Sequence, residues 1–515
     1  MPHSVVLWDN VIQRSCPDSL RGDRIGPTPG ATPALPTIPE RAISIPKLPR
    51  NLFALLACLV PTTLLASTQV IENLHWTRET VGIIAVVVFV VSYLFVAFEE
   101  RTGLKKSKPV LIAASLIWGL IAVQGQLSSV ADAAAVQAGF RTIFLDFAEL
   151  FFFLVVAMSF VSAISERNIF EALRANLASR GFSYRQLFWL TGVASFFLSP
   201  LLDNLTTALV MSGVLLAVGK DSPRFVAISF VNLVVAANAG GAWSAFGDIT
   251  TLMVWQAHKV EFLEFLVIFL PSLVSWLIPA SIMHFSVPAR TPEKTLDDAD
   301  IRPGGLAICL LFGITIVITV VGKQFLGLPA VFGMMAGLSL LNLLAYWIAR
   351  RERLDPKIPA HATSYSIFKI IANAEWDTLL FFYGVLLSVG GLAALGYIEL
   401  MSVGIYDGWG HTWANIGLGL LSAVVDNIPI MYAVLQMSPA MDHGQWLLIT
   451  LTCGIGGSLL AVGSAAGVAL MGRGQGAYTF FSHLRWTWAI ALGYVAGVAT
   501  HLALNAHHFT NGVWR

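Results

Sequence analysis

Two short segments of this 515-residue chain set an aspartate beside an asparagine in apolar surroundings. They are Ser199-Pro-Leu-Leu-Asp203-Asn204-Leu-Thr206-Thr207 and Ser422-Ala-Val-Val-Asp426-Asn427-Ile-Pro429, and both read Ser-x-x-x-Asp-Asn. A third acid, Asp248, follows Asn238-Ala-Gly-Gly-Ala-Trp-Ser-Ala-Phe-Gly247 and precedes Ile249-Thr250-Thr251. In all, six carboxylates fall inside apolar stretches: Asp146, Glu149, Asp203, Asp248, Asp377 and Asp426. A charge at such a position is costly and marks a functional cavity. No Lys or Arg is expected at comparable depth, so protons or metal cations must neutralise these acids. Such a site repels dicarboxylates and oxyanions and attracts Na⁺ or Li⁺, hard ions that favour oxygen ligands. The expected metal site is Asp203, Asn204, Asp248, Asp426 and Asn427. Further neutral oxygens come from Thr206, Thr207, Asn238, Thr250, Thr251, Ser422 and Ser464. Grouped carboxylates titrate together, so the same oxygens can hold a cation or protons, but not both fully. Glu149, with Asp146 and Asp377 nearer span ends, is a candidate proton path. Asp and Asn are also good helix N-caps, and capping can coexist with ion binding.

The composition says where these groups must sit. Apolar residues make up 56% of the chain and charged ones 12%, against roughly 25% charged in soluble domains. Lys plus Arg number 31 and Asp plus Glu 30, with a mean hydropathy of +0.73. This excludes a soluble enzyme, a disordered scaffold and a nucleic-acid binder. Cys16, Cys58, Cys309 and Cys453 are too dispersed for a disulfide framework or a CxxC site. No HExxH or GxSxG pattern is present, so neither an enzyme nor a cofactor is expected. The fold class is an all-α polytopic membrane protein whose first partner is the lipid bilayer.

Residues 1–50 are Pro-rich and read as a disordered extension, and 51–66 as a signal peptide or a first membrane helix. Full spans are expected near 81–98, 109–124, 143–165, 225–257 (interrupted), 261–285, 304–322, 328–349, 376–396, 446–471 (interrupted) and 484–504. Segments 184–218 and 411–437 carry polar breaks at their middles and read as hairpins that enter and leave on one side. Charge supports that layout. With 1–50 inside, the later inside loops (99–108, 166–185, 219–224, 286–303, 350–374 and 472–485) hold 20 Lys/Arg and the outside segments five. Cytoplasmic loops are the ones that carry this excess. Counting either hairpin as a crossing would flip every later loop.

The Asp-Asn motifs recur at an offset of 223 positions, and Gly240-Gly241-x5-Gly247 and Gly456-Gly457-x5-Gly463 at an offset of 216. One duplication accounts for both. The first repeat spans 81–285, a cytoplasmic linker 286–303, and the second repeat 304–504. Five spans and one hairpin per repeat invert the second half, an arrangement of secondary transporters whose broken helices mark the binding site.

The three motifs, read through Met211, Met253 and Met431, resemble those of the NhaD-type sodium/proton antiporters over roughly residues 70–505. That family lies in the ion transporter superfamily, with citrate, dicarboxylate and arsenite carriers. The resemblance implies exchange of cytoplasmic Na⁺ or Li⁺ for external H⁺ in a bacterial inner membrane. It also implies a homodimer with a fixed scaffold and a mobile, elevator-type transport domain. The implied functional positions are Asp203, Asn204, Asn238, Asp248, Thr250, Thr251, Ser422, Asp426, Asn427 and Ser464. Ala245 stands where the family pattern has a Pro. The alternative reading is a sodium-coupled organic-anion or oxyanion carrier of the same superfamily.

Overall fold

The computed structural model describes residues 73–292, 300–354, 367–474 and 476–510. The N-terminal extension and the 51–66 segment lie outside the described residues. The chain runs α1 (Thr80–Ala97), α2 (Glu99–Thr102), α3 (Ser107–Ser128), α4 (Val130–Glu166), α5 (Ile169–Ser179), α6 (Tyr184–Leu202), α7 (Asn204–Val218), α8 (Pro223–Ala242), α9 (Ile249–Gln256) and α10 (Phe269–His284). It continues through α11 (Gly305–Leu326), α12 (Ala330–Leu354), α13 (Ile367–Ala372), α14 (Trp376–Leu395), α15 (Tyr397–Ser402), α16 (His411–Leu421), α17 (Asn427–Met437), α18 (His443–Gly456), α19 (Ala465–Arg473), α20 (Phe480–Leu484) and α21 (Thr487–Leu504). Among the described residues no strand occurs, and eight helices are long and apolar enough to cross a membrane.

Two groups of helices organise the packing. In the first, α3 lies against α1, α4 and α14, while α11 pairs with α12, which leans on α4. The outer face of α11 exposes Leu306, Leu310, Ile314, Val317 and Val321, a helical stripe suited to lipid. In the second group, α6 and α7 pack on α8, α16 packs on α18, and α10 packs on α21. Every residue of α8 from Ile228 to Ala242 is buried, as is every residue of α18 from Gly444 to Gly456. These two helices form the axis of the second group.

The first expected hairpin turns back on itself, with α6 packed against α7. The Tyr184 hydroxyl, at the start of α6, donates to the Val218 carbonyl at the end of α7 (3.5 Å). In the second expected hairpin the first arm packs chiefly on α18: Asn415 of α16 donates to the Gln445 carbonyl (3.1 Å). Both long interrupted spans are broken where their glycines fall. Gly240 of α8 rests on the Phe196 carbonyl of α6, and Gly456 of α18 rests on the Gly419 carbonyl of α16. A Cβ at either position would overlap backbone that cannot retreat.

The largest departure from expectation is α4. It has 37 residues, or about 55 Å at 1.5 Å per residue. It begins at Val130 rather than near 143, because Ser129 Oγ accepts from the Asp132 amide (3.0 Å) and caps it. The polar Asp132, Gln137 and Arg141 hide this first stretch from a hydropathy reading.

The α11–α12 crossing depends on small residues. Gly333 and Gly337 lie directly on Thr319 and Thr315, a close approach of the small-xxx-small kind. Gly337→Leu is expected to destabilise the detergent-solubilised protein by about 1–3 kcal/mol through overpacking. Gly313→Leu, at a position open on its outer side, should leave the thermal midpoint unchanged. Equal midpoints for the two variants would contradict this crossing.

Candidate ion-binding site

Asp248 is the junction of the two motifs. It is 4% exposed and caps α9 after the unwound stretch Trp243–Gly247. Its Oδ2 accepts from Asn204 Nδ2 (3.1 Å) and from Asn427 Nδ2 (2.9 Å). Asn204 and Asn427 open the second arms of the two hairpins, so one carboxylate oxygen is clasped by an amide from each tip. Behind it, Asn204 also donates to Asn238 Oδ1 (3.0 Å), and fully buried Asn238 donates to Ser458 Oγ (2.9 Å). The His483 ring faces the Ser458 carbonyl (2.8 Å) and holds that end of the network. Thr251 Oγ1 donates to the Asp248 carbonyl (2.7 Å). Among the described residues, buried Thr250 Oγ1 and Thr207 Oγ1 have no hydrogen-bond partner.

The tip aspartates serve as caps, as their residue type allows. Asp203 accepts from the Thr206 amide and from Thr206 Oγ1, each at 2.8 Å. Its backbone is left-handed (φ 66°, ψ 163°), a region that costs a non-glycine residue about 1–3 kcal/mol. Strain of that size held at a polar break fits a functional position. Asp426 caps α17 more loosely (3.5 Å to the Ile428 amide) and with unstrained backbone.

Asp203, Asp248 and Asp426 line one cavity of about 350 Å³ with Asn204, Asn427 and Thr206. They share it without crowding: among the described residues no three His, Cys, Asp or Glu side chains gather round one point. Its other polar lining includes Lys106, Glu171, Arg174, Glu375, Thr378 and Arg473. Arg174 pairs with Glu171 (2.9 Å), and Arg473 donates to the Leu209 carbonyl of α7 (2.7 Å).

The expectation that no basic side chain reaches these acids is overturned. Lys106, just before α3, places Nζ 3.4 Å from Asp426 Oδ2, with the two side chains 16% and 13% exposed. A long, flexible stem lets a loop residue reach the hairpin tip. Lys323 is buried in the last turn of α11, where it donates to the Trp255 carbonyl and lies 4.4 Å from the Trp255 ring centroid. It also faces Glu149 electrostatically.

The remaining expected residues fall outside the cavity lining. Asp146 is exposed on α4 and Glu149 half-buried. Asp377, in the first turn of α14, receives the Ser107 hydroxyl. Ser422 Oγ donates to the Gly419 carbonyl (2.7 Å) and faces the Cys453 carbonyl (3.3 Å). Ser464 caps α19. Both serines thus face backbone. Lys106, Ser458, Glu375 and Arg473 were not singled out from sequence. Ser458, next to the second Gly-Gly, was the most legible of them. At the start of α2, half-buried Glu99 has its carboxyl raised above the ordinary value by burial, with Lys106 opposing the rise.

The two motif regions make matching contacts. Ser199 Oγ donates to the Ala237 carbonyl (2.7 Å) as Ser422 Oγ does to Cys453, with partners displaced by the same 223 and 216 positions. Asp248 and Ser464 cap their helices with nearly equal backbone angles (φ −146°, ψ 154° and φ −143°, ψ 150°).

Comparison with known proteins identifies the family. The family model described as "Citrate transporter" matches residues 42–454. The "Na(+)/H(+) antiporter NhaD" of Alkalimonas amylolytica is 49% identical over 474 residues, covering 89% of this chain and 97% of the relative. The protein of the same name from Vibrio cholerae is 47% identical, covering 87% and 96%. "Sodium/proton antiporter 1" of Arabidopsis thaliana is 31% identical, covering 85% and 75%. Near-complete coverage at such identity extends well beyond the three motifs, and the chain belongs to the NhaD-type sodium/proton antiporters within the broader citrate-transporter family.

Proposed function

We propose that this chain is a multi-pass bacterial inner-membrane antiporter that exchanges cytoplasmic Na⁺ or Li⁺ for external H⁺ by alternating access. The observation that carries the reading is the Asp248 carboxylate clasped by Asn204 and Asn427 at the wall of the cavity. A sodium ion in that cavity would find a charged oxygen on Asp248, the amide oxygens of Asn204 and Asn427, and the hydroxyl oxygen of Thr206. Such an all-oxygen set suits a hard cation. A proton on Asp248 removes the charge that attracts the ion, so the two cargoes exclude one another. Asp203 and Asp426 add negative potential at the two tips. Glu149, Asp146 and Asp377 are set apart from the cavity, and a proton path through them remains part of the proposal.

Sidedness supports the direction of exchange. The exposed lining residues Glu171 and Arg473 lie in segments 166–185 and 472–485, which the Lys/Arg excess assigns to the cytoplasm, and Glu375 directly follows another, 350–374. The cavity therefore faces the side from which sodium would be loaded. In the proposed elevator, the α3–α4–α11–α12–α14 group is the scaffold and also carries the homodimer contact. The group built on α8 and α18 moves. Each group would draw its helices from both halves of an inverted duplication of 81–285 and 304–504, joined by 286–303. An organic-anion carrier needs free positive charge, but Lys106, Arg174 and Arg473 already face Asp426, Glu171 and the Leu209 carbonyl.

Everted vesicles test the reading through sodium-induced collapse of a preformed pH gradient. Asp248→Asn and Asp203→Asn keep a capping side chain and so the fold, yet both should abolish the response. Full activity in Asp248→Asn would contradict the site. Asn427→Ala is expected to raise the apparent KM for Na⁺ about tenfold, the loss of one good ligand contact of 1–2 kcal/mol. In wild-type vesicles, lowering the pH should raise the apparent KM for Na⁺ while Vmax stays constant. A fall in Vmax at constant KM would rule out competition at one site.

A further inference from the structure

We infer that Lys106 is a tethered cation that occupies the Asp426 carboxylate while the cavity is free of sodium, and that an entering ion must displace it. The inference rests on the proposed exchange function and adds a competitor that belongs to the protein itself.

Four observations carry it. Lys106 lines the same cavity as Asp203, Asp248 and Asp426. Its ammonium stands 3.4 Å from Asp426 Oδ2, a separation at which the two charges attract without a tight, locked geometry. Its other side rests on the ring of fully buried Phe381, 4.4 Å from the centroid, an attraction that favours a cation there. The contact also joins the two helix groups, since Lys106 precedes α3 of one and Asp426 tips a hairpin of the other. While the pair lasts, it ties the hairpin tip to α3 and α14.

Displacement does not strand the ammonium. Lys106 is also within electrostatic reach of Glu99 and Glu375, so a short swing gives it new acidic neighbours as sodium takes over Asp426. Sodium binding thereby loosens a link between the groups that must slide, and an empty carrier keeps that link closed. The arrangement couples occupancy to movement with a single side chain.

The test uses the full-length protein, solubilised for sodium-dependent thermal stabilisation and reconstituted for transport. Removing this largely buried ion pair should lower the Na⁺ midpoint of stabilisation about fivefold in Lys106→Met. The apparent KM for Na⁺ should fall with it. Lys106→Arg keeps the charge and should restore a midpoint near that of wild type. Lys106→Gln is measured in parallel, so that poor folding of one neutral variant leaves the other to decide. Midpoints in the neutral variants equal to or above the wild-type value would overturn the inference, since a merely structural lysine alters melting temperature without sharpening its response to sodium. If wild type itself shows neither sodium stabilisation nor exchange, the proposed function fails. If wild type responds and the neutral variants match it, only the role of Lys106 fails.

Discussion

One carboxylate oxygen of Asp248, a residue only 4% exposed, holds the two hairpin tips together through Asn204 and Asn427. The rest of the architecture can be read as what that contact requires. A charge so placed is tolerated only when donors or a cation face it. Donors can come from both tips only if two re-entrant hairpins reach the same depth. Hairpins can end inside the molecule only if their backbone ends are satisfied by caps and covered by neighbouring protein. Asp203 and Asp426 provide the caps. The buried axis helices α8 and α18 provide the cover, and their glycines admit the hairpin backbone at contact distance.

Much of this was legible in the sequence, for identifiable reasons. The spans announce themselves because the bilayer demands about 20 apolar residues in a row. The hairpins are legible because treating them as crossings would spoil the Lys/Arg distribution, a constraint independent of hydropathy. The pairing of the motifs is visible in two constant offsets, and the structure repeats those offsets in the Ser199–Ala237 and Ser422–Cys453 contacts. The roles of Asp203 and Asp426 were less legible. Type and spacing fit both a cap and a ligand, and only geometry shows that each caps its helix while lining the cavity.

Three features could not be read at all. Lys106 belongs to a short basic loop, and its contact lies 320 positions away along the chain, a distance that no local pattern encodes. Lys323 falls just past the expected 304–322 span, but the helix continues three residues beyond it and the side chain turns inward to Trp255. The first part of α4 escaped because helices outside hydrocarbon need no apolar continuity, and its only signal was the Ser129–Asp132 cap. The common cause is that hydropathy reports on contact with lipid, whereas these features depend on contact between distant parts of the chain.

The central claim is that sodium and a proton alternate on Asp248. Adding NaCl to purified protein in a weakly buffered solution, and recording the pH, tests it most directly. Where the carboxylate is largely protonated, sodium should expel protons in proportion to the protein present, and Asp248→Asn should release markedly fewer. An undiminished release from Asp248→Asn would place the exchange elsewhere and contradict the account.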